Sequence, residues 1–279
     1  MGEIAFGCDL HYEVTAPTTF LFNLVAARTH CQFIVHELLQ LSPNVPIEAF
    51  ELGLSHNRVH RVRLEPCEFH LHYEGVVNLN AEVDVAETLA TQPYRELPPD
   101  VLPYLNPSRF CESDLLGNFA MSEFGSLRPG YSHVSAICDW TSHHIVYTPG
   151  STDARTTARD VLVQRQGVCR DFAHLAIALC RGLSIPARYV SGYAVDLQPP
   201  DFHGFFEAYL GERWYLFDAT RLAPVSGLVR IADGHDAADV PFATLMGAAN
   251  LQAIRVWANP TAGAINARDP STTDAVSTA

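Results

Sequence analysis

The sequence predicts an α+β protein, with a β-sandwich-like domain over residues 1–104, an α+β domain over 105–258 and a disordered tail over 259–279. Three observations carry that prediction. The first hundred residues alternate apolar and polar at period two, whereas from about residue 108 the apolar positions take helical spacing. Between the two regimes stands ELPPDVLPYLNP (96–107), whose four prolines mark a connector.

Taken in order, DLHYEV, QFIVHELLQL, RVHRVRLE and EFHLHYEGVVNLNAEV read as strands separated by Pro, Gly and Asn turns, the pattern of a sandwich. DLLGNFAMSEF and HVSAICDWTSHHIVY read as helices. TTARDVLVQRQG begins with a capping box, Thr157 with Asp160, and is expected to stop on Gly167. GVCRDFAHLAIALC opens a helix at Cys169. Phe172, Ala176, Leu179 and Leu183 fall on one face of it, so that helix is directed into a core. ARYVSGYAV, HGFFEAYL and RWYLFDAT follow as strands. Helices leading into sheet suggest α+β. The last stretch, NPTAGAINARDPSTTDAVSTA, is small and polar, hence the expected tail.

Composition narrows the function. The 279 residues are 48% apolar, enough for a filled core, and carry a net charge of −13. That charge argues against nucleic acid, which needs a concentrated excess of basic residues. No apolar run approaches the roughly 20 residues of a spanning helix, and the opening MGEIAFGCDLHYEV reads as a strand rather than a signal peptide. A cytoplasmic protein with no membrane partner is expected. The seven cysteines are odd in number and widely spaced, which reads as reduced thiols. None stands at CxxC spacing, which argues against a structural zinc site; no metal is expected, and thiol chemistry calls for no cofactor.

The chemistry is expected at Cys169. At the mouth of a helix, unpaired backbone N–H groups and the positive end of the dipole favour a thiolate over a thiol. The same N–H groups can stabilise an oxyanion. Thirteen histidines compete to be its partner. His203 stands out because it opens HGFFEAYL, and Asp218 closes the next strand. If the two strands form a hairpin on Gly211-Glu212, Leu210 faces Arg213 and His203 faces Thr220, with Asp218 diagonal to His203 on the same face. Diagonal Cβ atoms lie roughly 7 Å apart, within reach of an imidazole–carboxylate hydrogen bond. Asp218 would then fix the tautomer of His203, and His203 would take the Cys169 proton.

GVCRDFAHLAIALCRGLSIPARYVSGY followed by DFHGFFEAYLGERWYLFDAT resembles the bacterial transglutaminase-like superfamily, members of which are often described as cysteine proteases. LNPSRFCESDLL, YTPGST and VRIADGHDAADV add to the likeness, which covers most of residues 1–258. The resemblance implies a papain-like α+β catalytic fold behind an N-terminal β domain, acting on amide or isopeptide bonds, with Cys169, His203 and Asp218 as triad. Two positions depart from the family pattern: Gly204-Phe205 stands where Ala-Trp is common, and His235 where Arg is common. Both bear on the substrate cleft rather than the triad.

Rival features read as structural. Cys111 precedes Glu112 and Asp114, whose field would raise a thiol pKa. Cys180 lies a full helix away from the activating end. His143 and His144 are adjacent and share no ligand spacing, and His70 with His72 reads as a strand face rather than a metal site. Asp233, Asp236 and Asp239 lack a calcium loop. Two functional readings follow. One is a cysteine hydrolase passing through an acyl-thioester, which an amine in place of water would turn into transglutaminase-type transfer. The other is a binding or scaffold protein of the same fold. A peptide or other amide is the expected partner, and the N-terminal β domain is left as a surface for a protein partner or self-association.

Overall fold

The structure is a computed structural model that describes residues 2–262 and 274–279. The first seven strands are β1 (Gly2–Val14), β2 (Thr18–Phe22), β3 (Gln32–Ser42), β4 (Ile47–Leu52), β5 (Asn57–Leu64), β6 (Cys67–Leu79) and β7 (Glu82–Val85). After the connector come α1 (Ser113–Phe124), α2 (Tyr131–His144), β8 (Val146–Tyr147), α3 (Ala158–Gln164), β9 (Gln166–Gly167) and α4 (Cys169–Gly182). Then follow β10 (Ala187–Ala194), β11 (Phe202–Leu210), β12 (Arg213–Phe217), β13 (Leu228–Gly234), β14 (Ala243–Met246), β15 (Ala249–Ala262) and β16 (Asp274–Ser277).

Two four-stranded sheets, ordered β15-β1-β6-β3 and β14-β2-β5-β4, make the sandwich. Alternation does this directly: Ile4, Phe6, Cys8, Leu10, Tyr12 and Val14 of β1 are all buried, as are Phe69, Leu71, Tyr73, Val77 and Leu79 of β6. They meet Phe20 and Phe22 of β2, with ring centroids of Phe20 5.2 Å from Tyr12 and 5.5 Å from Phe69. A third sheet, β12-β11-β10-β13, carries α4 against it, and α1, α2 and α3 pack on the other sides of that helix. α4 is buried from Asp171 through Arg181, which is what its apolar face required.

Three expectations need correction. The tail expected over 259–279 is structured at both described ends: β15 continues to Ala262 alongside β1, and Asp274–Ser277 pairs with β7. The stretch between lies outside the described residues. The division at 104/105 is crossed by the chain's return, because β14 pairs with β2 and β15 with β1, completing both sheets of the sandwich. Finally, α3 ends at Gln164 rather than on Gly167. Arg165 (φ 58°) caps it, freeing Gln166-Gly167 to pair in parallel with Val146-Tyr147.

Candidate active site

Cys169 begins α4, directly after Gly167 and Val168. The turn is held by Asp171, fully buried, whose Oδ2 accepts from Val168 N–H (2.9 Å) and from the Thr152 hydroxyl (2.6 Å). Its Oδ1 pairs with Arg170 at 2.8 Å. Asp171 thus reaches back from the first turn to cap the Val168 N–H and keeps its charge compensated. Gly167 is required here, because a Cβ would lie 2.8 Å from Cβ of Asp171.

β11 and β12 form the expected hairpin, with Leu210 opposite Arg213 and Phe206 opposite Phe217. β12 ends at Phe217, and the chain then turns so that Asp218 reaches back. His203 Nε2 lies 3.2 Å from Asp218 Oδ2, with both side chains almost wholly buried. Asp218 also accepts from Thr220 N–H (2.9 Å) and hydroxyl (2.7 Å), Leu222 N–H (3.1 Å) and Ala223 N–H (3.0 Å). Burial alone would raise its pKa. The imidazolium and these donors outweigh that and hold the carboxyl below its ordinary value. For His203 burial pulls downward, but the Asp218 charge and hydrogen bond and the Cys169 thiol prevail, raising the ring to about 10. Nδ1 of His203 has no hydrogen-bond partner among protein nitrogen and oxygen atoms. The geometry therefore brings Cys169, His203 and Asp218 together, with one imidazole nitrogen committed to the carboxylate.

Cys169 and His203 open onto a cleft of about 410 Å³, with Asp218 buried behind them. Phe110, Phe202, Phe242, Val240 and Pro241 give it an apolar wall, and Arg170 and Asp201 are its charged lining residues. Cys169 Sγ sits 4.0 Å from the Phe202 carbonyl. A larger hollow of about 660 Å³ lies on the outer face of the β1–β6 sheet, remote from the thiol, and holds His11, His70 and His72. There His70 stacks on His11 at 4.0 Å, and His72 Nδ1 lies 2.6 Å from Asp9. Among the described residues no three His, Cys, Asp or Glu side chains converge as metal ligands.

The rival residues are accounted for by packing. Cys111 is fully buried, and burial, more than its acidic neighbours, pushes its thiol up to about 12. Cys180 is buried and raised for the same reason. His143 and His144 sit at the end of α2 against the carbonyls of Asp139 and Trp140. Asp233, Asp236 and Asp239 point to different partners: Arg188 and Arg230, the Phe110 N–H, and His235. The departures from the family pattern also find local reasons. A Cβ at Gly204 would lie 2.5 Å from Tyr189 Oη. His235 stacks on Tyr104 at 5.0 Å, outside the cleft lining.

Two residues at the site escaped sequence reasoning. Tyr147, presented by the two-residue β8, lays its hydroxyl against Cys169. Burial and the nearby Cys169 thiol push its phenol up. Only the YTPG turn residues beside it gave any signal. His174, on α4, is fully buried, stacks on Phe110 at 5.1 Å and accepts from Ala237 N–H at 3.1 Å, tying the cleft wall to the helix.

Comparison with known proteins bears on the fold that carries this site. A model of the transglutaminase-like superfamily matches residues 121–219, and one of the bacterial transglutaminase N-terminal domain matches residues 4–100. A crystal structure of a "putative cysteine protease" from Cytophaga hutchinsonii is 43% identical, covering 99% of this chain and 97% of that one at a TM-score of 0.94. The chain belongs to the transglutaminase-like superfamily. Curated relatives are more distant. An uncharacterised protein of Mycobacterium leprae is 33% identical over 116 residues, which is 38% of this chain and 41% of that protein. One of Mycobacterium tuberculosis is 36% identical over 96 residues, 34% of this chain and 30% of its own length. This chain thus matches less than half the length of those relatives.

Proposed function

We propose that the protein is a cysteine-dependent hydrolase of amide bonds, peptide or isopeptide, working through Cys169, His203 and Asp218. The observation that carries this reading is a partly exposed thiol at a helix mouth, opening onto a cleft beside an imidazole that a buried carboxylate holds. The kinship with the Cytophaga protein, by its description, supports it.

In this mechanism the Cys169 thiolate attacks the amide carbonyl carbon and the oxyanion takes the Cys169 N–H at the mouth of α4. His203 gives its Nδ1 proton to the amide nitrogen, the C–N bond breaks, and an acyl-thioester remains as the amine departs. A water then loses a proton to Nδ1 and attacks the thioester. The C–S bond breaks, the acid leaves, and thiolate and imidazolium are restored. Asp218 keeps Nε2 protonated throughout.

The test is iodoacetamide alkylation of Cys169 across pH, read by mass spectrometry, together with turnover of a peptide-amide panel. Wild type should alkylate readily at neutral pH, and His203→Ala should need the alkaline range of a free thiol, about pH 8.5. Cys169→Ala should abolish turnover, by on the order of a thousandfold or more. Alkylation indifferent to His203→Ala, without turnover, would leave a binding protein of the same fold. Incorporation of an added primary amine in preference to water would make the reaction acyl transfer.

A further inference from the structure

One carboxylate of the cleft is not used by the chemistry above. Asp201 lines the cleft with Cys169, His203 and Phe202, and is exposed at its rim. Its Oδ1 accepts 2.7 Å from the Phe202 N–H, and among the described residues no arginine or histidine forms an ion pair with it. The other acids near the thiol are all matched: Asp171 by Arg170, Asp218 by His203. Desolvation at the cleft raises the Asp201 carboxyl, with the Phe202 N–H and the His203 charge acting against it, so Asp201 stands among the groups that surround the thiol. Beside it Phe202 and Phe242 stack at 5.2 Å, continuing the apolar wall. A hydrocarbon surface with a free anion at its end fits a cation on an aliphatic stem, the stem on the wall and the head at the carboxylate.

A second observation comes from the sequence. The chain contains no lysine, and all 18 of its basic residues are arginine. Apart from its amino terminus, one copy therefore offers no primary ammonium to the cleft of another. A cleft that selects ammonium meets almost none on its own kind.

We propose that Asp201 is the specificity-determining residue of this cleft and that the substrate carries a primary ammonium on a flexible apolar stem, lysine-like, beside the amide attacked. The inference rests on Cys169 being the reactive thiol, and its test separates the two. Cys169 is titrated with 2-aminoethyl methanethiosulfonate and with the neutral methyl methanethiosulfonate, and the ratio of the two rates is taken. Wild type should favour the ammonium reagent. Asp201→Asn should lower the ratio about fivefold, the worth of one unit charge about 4 Å away when water screens it fully. Asp201→Ser should do the same, and thermal melts of both variants check folding. Among peptide amides, lysine should be turned over faster than Nε-acetyl-lysine and faster than arginine, and Asp201→Asn should erase that order. A rate ratio untouched by Asp201→Asn, or arginine serving as well as lysine, overturns the inference while His203-dependent alkylation leaves the thiol reading intact. Loss of that His203 dependence instead overturns the thiol reading.

Discussion

Two histidines near the thiol, His203 on β11 and His174 on α4, titrate in opposite senses. His203, raised to about 10, is favoured as a cation in the folded state. Its contribution to stability is therefore full below about pH 6.5, the ordinary histidine value, and is lost as pH rises through about 10. His174 is the reverse. Burial, ahead of the opposing charge of Asp236, lowers it to about 4, so the fold holds it neutral. Stability tied to His174 is present above about pH 6.5 and drains away as pH falls toward 4. His174→Gln keeps an acceptor for the Ala237 N–H but removes the titration. Urea unfolding midpoints measured at intervals between pH 6.5 and 4 should fall less steeply in that variant than in wild type. An identical slope would place the acid sensitivity elsewhere. The His203–Asp218 pairing was legible from sequence because a hairpin is local and its parity follows from the turn. The roles of Tyr147 and His174 were not, since a two-residue strand has no periodicity and a buried histidine on an apolar face looks like any core residue.

β11 places His203 at the cleft, and its Glu207 lies inside a fully buried cluster. Glu207 Oε2 accepts from Arg188 Nε at 2.8 Å, Arg230 closes on its other oxygen, and Asp233 pairs with both arginines. The cluster spans β10, β11 and β13 and reaches Asn57 of β5, which donates to the Asp233 carbonyl at 2.7 Å. It joins the sheet that carries the site to the sandwich. Removing one partner strands the others in a dry interior, so Glu207→Gln should cost about 3–5 kcal/mol by chemical denaturation. A loss under about 1 kcal/mol would mean that water reaches the cluster. None of this was visible beforehand: alternation marks a position as inward, but cannot say that an inward glutamate meets arginines from strands far off in sequence. Where the sequence was explicit, as with the Thr157–Asp160 capping box of α3, the structure has the same contacts, 3.0 Å from Asp160 Oδ2 to the Thr157 N–H.

At the scale of the molecule, the chain is one interlocked body rather than two beads on a connector. β15 runs beside β1 from Val14↔Ala249 to Glu3↔Ala262, and β14 closes the second sheet against β2. A fragment comprising residues 1–104 should therefore lack one strand from each sheet and expose an apolar edge. Such a fragment is expected to aggregate or remain unfolded by circular dichroism. A cooperative melt from it would show that the returning strands are dispensable. The α+β class and the elements of the middle of the chain were readable because each has its own period and caps. The return was not, because small polar residues near a C-terminus carry the composition of a loose end while the pairing that orders them lies at the opposite end of the sequence.

The same return sets a clock. β1 leaves the ribosome more than two hundred residues ahead of β15. At about 5–20 residues per second the first strand waits for tens of seconds with one side unclaimed. During translation the nascent chain can assemble α4 and its sheet before the sandwich is closed. The β1 edge, with the Tyr12, Phe20 and Phe69 rings behind it, is then the surface that a holdase or a second nascent chain would meet first.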